Sequence, residues 1–333
     1  MEYVGHDAAM RQVRERQSAL LGELEMRAIV TGGTGFIGSH VVDMLCGQGH
    51  SVGVIDISPP AKEWSVPSGV TLNLIDVAST EAEDVIADFS PDVIFHLAAK
   101  ASVPASLADP VEDARTTLLG LLHVLEGARR GGSRKVVYSS SAAIYGDPHV
   151  AMPIGETLPL APLSPYGAAK AAGETYLEVY RLLYGLHYAS LRYANVYGPR
   201  QGLTGEGGVV AIFADKYARK IPLTLFGDGL HTRDYIYVED VARANLLAAA
   251  FEGSISCHVS TGVETSNLEL IAALEMVSGV TVPVLSESER AGDIRRSVLN
   301  PELAESELGF RAEIALSDGL SRTYRWMRER FSG

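Results

Sequence analysis

The chain has 333 residues, 47% of them hydrophobic, with a formal net charge of −13 and a pI near 5.2. That length buries a full core and suggests about two domains, or one large α/β unit with an appended lobe, while the acidity argues against nucleic acid or an anionic membrane surface as partner. No apolar run approaches the roughly 18 residues of a membrane helix, and the two cysteines, Cys46 and Cys257, lack metal-ligand spacing and are too few for a disulfide framework, which fits a reduced cytoplasm and no metal site.

Residues 1–25 are charged and have no apolar stretch of the signal-peptide kind; they read as a polar helical extension of unassigned role. From Met26 short β-branched runs alternate with helical ones. "MRAIVTG" is a buried-strand pattern and "FIGSHVVDMLCGQG" a helix closed by Gly49; "SVGVIDI", "VTLNLIDV", "VIFHLAA", "KVVYSSS" and "HYASLRYANV" are further strands with helices between them. This βαβα order predicts a Rossmann-type doubly wound parallel sheet. After about residue 195 the pattern loosens into Gly- and Pro-containing loops such as "GPRQGLTGEGG". We expect a dinucleotide-binding unit over 26–190, with a later contribution around 230–262. A smaller C-terminal substrate-binding lobe, mainly 191–333, covers the carboxyl edge of the sheet, where ligands of open α/β sheets bind.

Within the first unit, "VTGGTGFIGSH" sets Gly32, Gly35 and Gly38 at three-residue intervals between the first strand and the first helix. Glycines there let the backbone approach a pyrophosphate, whose charge then meets the helix N-terminus. Asp56 ends the next strand, 18 residues after Gly38. A carboxylate in that place accepts hydrogen bonds from an adenosine ribose and repels a 2′-phosphate, so NAD is favoured over NADP. Asp76, ending "LNLID", either meets the adenine or is a surface turn residue.

In "SPYGAAKAAGE", Tyr166 and Lys170 lie four apart, hence as neighbours on a helix, with only Gly and Ala between them. A phenol, whose reference pKa is about 10, becomes a useful base when a nearby cation stabilises the phenolate. "VVYSSSAAIYG" runs a strand into Ser139, Ser140 and Ser141, hydroxyls placed to hold a substrate oxygen against that phenol.

Together the glycine pattern, "SSSAAIYGD" and "SPYGAAK" resemble the extended short-chain dehydrogenase/reductase family, and within it the UDP-glucose (UDP-galactose) 4-epimerases. "LRYANVYGP", "FGDGLHTRDYIYVEDV" and "RAGDIRRS" extend the resemblance from Met26 to about Phe310. It implies Ser141, Tyr166 and Lys170 as catalytic triad, Tyr166 following Ser141 by 25 positions. It implies a cofactor set of Gly32, Gly35, Phe36, Ile37, Gly38, Asp56, Asp76, Val77, Leu97, Ala98 and Ala99, joined by Tyr166 and Lys170. Asn195 falls near the substrate diphosphate, Arg233 and Arg290 on phosphate and ribose, and Asp293 on the nucleotide sugar, beside Ser141 and Tyr166. A UDP group carries about two charges and suits arginine forks, though each arginine alone reads equally as a surface ion pair. The sequence departs from the family at Thr117, where Asn is frequent, and at Ala101, where Lys is frequent and Lys100 falls one place early; both departures are expected on the cofactor side.

The implied reaction is NAD-dependent 4-epimerisation of UDP-glucose and UDP-galactose through a 4-keto sugar. Sugar-nucleotide dehydratases and decarboxylases carry acidic residues after the catalytic hydroxyl, whereas here Ala142 and Ala143 follow Ser141. A non-catalytic NAD-binding sensor would have no need of Ser141, Tyr166 and Lys170 together. Counting from "RAGD", Ser297 stands where some relatives carry a large aromatic, which predicts room for the N-acetyl group of UDP-GlcNAc and UDP-GalNAc. A hexuronate would want a cation near C6, for which Arg200 is the candidate. Apolar faces on helices around 112–130 and 167–185 resemble the pair that forms a homodimer contact in the family; packing on the sheet alone is the alternative.

Overall fold

Seven parallel strands make the central layer of the protein. The structure, a computed structural model, describes residues 25–203, 208–289 and 294–330, so the N-terminal extension apart from Glu25 lies outside the described residues. In chain order the strands are β1 (Arg27–Thr31), β2 (Ser51–Asp56), β3 (Thr71–Leu74), β4 (Val93–His96), β5 (Lys135–Ser141), β6 (His187–Tyr193), β7 (Asn195–Tyr197), β8 (Leu223–Phe226), β9 (Thr232–Tyr237), β10 (Ile255–Val259), β11 (Glu264–Ser266), β12 (Val284–Glu287) and β13 (Arg296–Ser297). The helices are α1 (Phe36–Gly47), α2 (Thr80–Phe89), α3 (Val103–Ala108), α4 (Pro110–Ala114), α5 (Gly120–Gly131), α6 (Pro165–Tyr184), α7 (Val209–Arg219), α8 (Val238–Ala250), α9 (Asn267–Ser278), α10 (Glu302–Leu308) and α11 (Leu316–Arg330). A π-helical turn, Arg115–Leu119, joins α4 to α5, so the helical run read around 112–130 carries an insertion in its ladder.

The main sheet runs β3-β2-β1-β4-β5-β6-β10, every pair parallel. Its central strands are buried on both faces, as their unbroken apolar runs require. Successive residues point to opposite sides: Val30, Val54, Phe95 and Val137 meet α1 and α8, while Ile29, Ile55, Ile94 and Val136 meet α2, α5 and α6. From β1 the chain winds outward through β2 and β3, then crosses to β4 and winds the other way. The carboxyl ends of β1 and β4 therefore part, opening the crevice where such sheets bind ligands.

A second layer of strands follows. β9 pairs in parallel with β7 and β13 and antiparallel with β11, and β8 pairs with β12. Tyr197, Phe213, Tyr217, Leu225, Leu270 and Leu320 form the separate apolar core of this part, drawn from β7, β8, α7, α9 and α11. The pairing registers set Asn195 opposite Tyr235 and Ser297 opposite Arg233, gathering residues far apart in sequence. Among the described residues no helix is long and apolar enough to cross a membrane.

Candidate active site

The crevice opens where β1 turns into α1. Gly32 has φ +69°, a left-handed conformation, and a Cβ there would fall 2.8 Å from Ala98 N. A Cβ on Gly38 would fall 2.0 Å from Gly32 O, so only glycine permits this turn to fold onto the helix. Gly35 is the N-cap of α1 and offers no side-chain cap, which leaves the first amides of the helix directed at the crevice. Asp56 ends β2; its Oδ2 accepts from Thr34 N at 3.0 Å and its Oδ1 from Ser58 N at 3.2 Å, which fixes the carboxylate at the rim while lone pairs remain on both oxygens. Gly32, Gly35, Phe36, Ile37, Gly38, Asp56, Asp76, Val77, Leu97, Ala98, Ala99, Tyr166 and Lys170 all line this one cleft. A glycine cradle under a helix N-terminus, with a carboxylate on the neighbouring strand, fits a dinucleotide.

Two charged groups of the cleft, Glu112 and Arg115, were not legible in the sequence. Arg115 donates from Nη1 to Asp76 Oδ2 at 2.7 Å and as a fork to Glu112, at 2.7 and 2.9 Å, and Lys100 lies 3.2 Å from Glu112. Hydrogen bonds from Arg115 and then from Lys100 hold the Glu112 carboxyl down to about 2. Asp76 is thus an ion-pair partner at the cleft wall. Thr117 is fully buried and is not among the residues lining the dinucleotide cleft, whereas its neighbour Thr116 is, so the departure at Thr117 sits behind the cofactor wall rather than on it. Ala101 does line the cleft.

The catalytic candidates converge because two segments pack unusually closely. Ser164 caps α6, its Oγ accepting from Gly167 N at 3.1 Å, and Pro165 occupies the first turn. Gly167 then lies against the 3₁₀ turn, Ala142–Tyr145, that follows Ser141; a Cβ there would be 2.5 Å from Ala143 O. Tyr166 is thereby held beside the end of β5. One turn later Lys170, 1% exposed, donates from Nζ to Ser139 O at 2.5 Å and to Ser139 Oγ at 3.3 Å, with Nζ 5.8 Å from the centre of the Tyr166 ring. His96 ends β4 nearby. Burial first and the Lys170 charge second push its imidazole down to about 3, so it is neutral.

Ser140, Tyr166, Tyr193, Phe36 and Ile37 line both the dinucleotide cleft and a second one continuous with it. The second cleft holds Ser141, Asn195, Arg233 and Ser297, together with Ala142, Ala143 and Gln201. Arg290 and Asp293 lie outside the described residues. Arg200 lines neither cleft: its Nη2 pairs with Asp43 Oδ2 at 2.7 Å and its guanidinium covers the Trp64 ring at 5.5 Å. The sequence reading also passed over Tyr193 and Gln201, and it named Ser140 only as a member of the hydroxyl cluster. Behind Ser140 stands a buried pair that tertiary contact alone reveals: Arg192 donates to both oxygens of Glu174, at 3.0 and 2.7 Å, and Glu174 Oε1 also accepts from Ser140 and Ser190.

Comparison with known proteins agrees with this geometry. Residues 28–257 match the family described as NAD dependent epimerase/dehydratase. The UDP-glucose 4-epimerase of Mycolicibacterium smegmatis is 41% identical over 312 residues, covering 92% of this chain and 99% of that protein. Among solved structures, the UDP-glucose 4-epimerase of Thermotoga maritima, crystallised with UDP-glucose, superposes with a TM-score of 0.89 at 40% identity over 92% of this chain and 100% of that one. The Thermus thermophilus UDP-glucose 4-epimerase in complex with NAD gives 0.86 at 41% identity, over 91% and 99%. A glycine cradle, a hydroxyl at the end of β5 and a Tyr–Lys pair on α6 thus sit in a chain that belongs to the NAD-dependent epimerase/dehydratase family.

Proposed function

We propose that the protein is an NAD-dependent 4-epimerase interconverting UDP-glucose and UDP-galactose. The observation that carries this reading is Tyr166, the one catalytic candidate that lines both the dinucleotide cleft and the cleft holding Ser141, Asn195, Arg233 and Ser297. A phenol at that junction would be able to meet a sugar hydroxyl from the wall that it shares with the cofactor cleft.

Gly32, Gly35 and Gly38 with the α1 amides would hold the pyrophosphate of NAD, Asp56 the adenosine ribose, and Lys170 the nicotinamide ribose. When bound, NAD supplies the acceptor and donor of hydride at sugar C4, which gives access to a 4-keto sugar. The chain's own part is proton chemistry and placement. Tyr166 takes the O4 proton at its phenol oxygen and returns it after the sugar has turned about its diphosphate link. Ser141 orients O4 and shares its proton. The Lys170 ammonium stabilises negative charge on the phenol oxygen. Asn195 and Arg233 hold the diphosphate end, with Arg290 and Asp293 assigned to the nucleotide and sugar on sequence grounds. Ala142 and Ala143 place no acid or base beside Ser141, which disfavours dehydration.

Ser297 supports a second substrate pair. It lines the substrate cleft as a small residue, leaving space for the N-acetyl group of UDP-GlcNAc and UDP-GalNAc. Arg200 lends no support to a hexuronate, being tied to Asp43 away from the cleft. A homodimer is the assembly we favour, since Tyr176, Val179, Leu182 and Leu183 of α6 and Leu119 beside α5 are exposed apolar residues. A cytoplasmic setting suits two free cysteines. Incubating the purified protein with a panel of UDP-sugars, without added NAD, tests the reading. Interconversion of UDP-glucose and UDP-galactose is expected, and absence of turnover on every UDP-sugar, with NAD bound, would reject it.

A further inference from the structure

Lys170 is 1% exposed, and its burial raises a question of charge balance that the proposed reaction leaves open. A buried ammonium needs a compensating charge. Tyr166 supplies one only while its phenol is ionised, and that partner vanishes whenever the phenol holds the sugar's proton. Three other titratable groups of the neighbourhood cannot replace it. His96 is neutral. Tyr138, whose ring lies 4.7 Å from Lys170 Nζ, stays a phenol because burial raises it well above its ordinary range. Glu174, on the same helix as Lys170, has both carboxylate oxygens taken by Arg192.

Asp113 remains. It sits on α4, which packs against α6; it is 1% exposed, and neither of its carboxylate oxygens has a hydrogen-bond partner. Burial pushes its carboxyl up, and Lys170 is the leading influence pulling it back down. The second such cation, Lys100, is half exposed and committed to Glu112 at 3.2 Å. Tyr138 lies in the field of Asp113 and in contact with Lys170, which sets all three in one buried neighbourhood. The π-helical turn directly after α4 is a helix defect of the kind that concentrates at functional sites.

We infer that Asp113 is the buried counter-charge of Lys170, a positioning residue that keeps the ammonium charged through the half of the cycle in which Tyr166 is protonated. The inference rests on the epimerase reading for its place in the cycle and for the kcat readout, whereas the titration of Lys170 stands apart from that reading.

The test compares wild type with Asp113→Asn, in which the charge is lost and the shape kept. In lysine labelled with ¹³C at Cε and assigned through Lys170→Arg, the titration midpoint of Lys170 should fall by about one unit or more in the variant. The alkaline limb of the kcat profile on UDP-galactose should move down by the same amount, with NAD content and KM little changed. Should the amide variant fail to fold, Asp113→Ser gives the same comparison. An unmoved Lys170 midpoint, with or without a general loss of rate, overturns the inference and leaves Asp113 a structural residue. A moved midpoint in a protein inactive on every UDP-sugar would keep the inference and reject the proposed reaction instead.

Discussion

The close approach of Gly167 to Ala143 sets the geometry of the site, and Gly167→Ala probes it with one methyl group. The added Cβ would lie 2.5 Å from Ala143 O and 3.1 Å from Pro162 Cβ, where ordinary contact begins near 3.4 Å, so the backbone must yield by most of an ångström. The yielding partners are the helix start that carries Tyr166 and the turn after Ser141. A misplacement of about 1 Å between groups that act together lowers turnover by roughly 10²-fold. Stability should change less: overpacking costs about 1–3 kcal/mol, and Ala in place of Gly within a helix returns up to about 1 kcal/mol. The glycine cradle for the pyrophosphate is built on a different segment, the β1–α1 turn. We therefore expect kcat on UDP-galactose to fall about 100-fold, with KM within a few-fold and NAD released on denaturation unchanged. Turnover within about threefold of wild type would show that the spacing between α6 and the Ser141 turn does not govern the reaction, and would refute the reasoning.

Three further expectations follow from the same contacts. Tyr166→Phe removes the proposed proton acceptor and should reduce interconversion roughly 10²–10⁴-fold while NAD stays bound, as turnover and cofactor content together will show. Glu174→Gln leaves Arg192 buried without its carboxylate, its guanidinium side chain being 8% exposed, and should lower the unfolding free energy by about 3–5 kcal/mol in urea titrations; a loss below about 1 kcal/mol would contradict the assignment of a tightly paired site. His40 and His96 are pushed down to about 4 and about 3, each chiefly by burial, against an ordinary value of 6.5. Below pH 6.5 the unfolded chain binds protons that the folded one refuses, so stability should fall on acidification by about 1.4 kcal/mol per pH unit for each histidine, down toward those lowered values. Urea unfolding at pH 6.5 and 5 measures that slope, and a His40→Gln, His96→Gln double variant that kept it would assign the acid sensitivity elsewhere.

The parallel sheet was legible in the sequence because each of its central strands is an apolar run closed by a turn, a signal that needs no partner to be read. β10 was harder: "ISCHV" pairs with β6 across some sixty residues, and only that pairing makes it part of the main sheet. The helical run around 112–130 showed its apolar face but not its π-helical turn, since a local insertion leaves the composition of the segment unchanged.

By itself the sequence determined whatever depends on neighbours along the chain: the glycines at the β1–α1 turn and the four-residue spacing of Tyr166 and Lys170. Only the tertiary structure decided which distant groups share an environment. It set Arg115 on Asp76, turned Arg200 away to Asp43, placed Ser297 beside Arg233, and buried Asp113 on a helix packed against the one that carries Lys170. Spacing fixes local geometry through backbone dihedrals, whereas these encounters depend on strand order and on the direction each helix takes back across the sheet, which no stretch of sequence encodes alone.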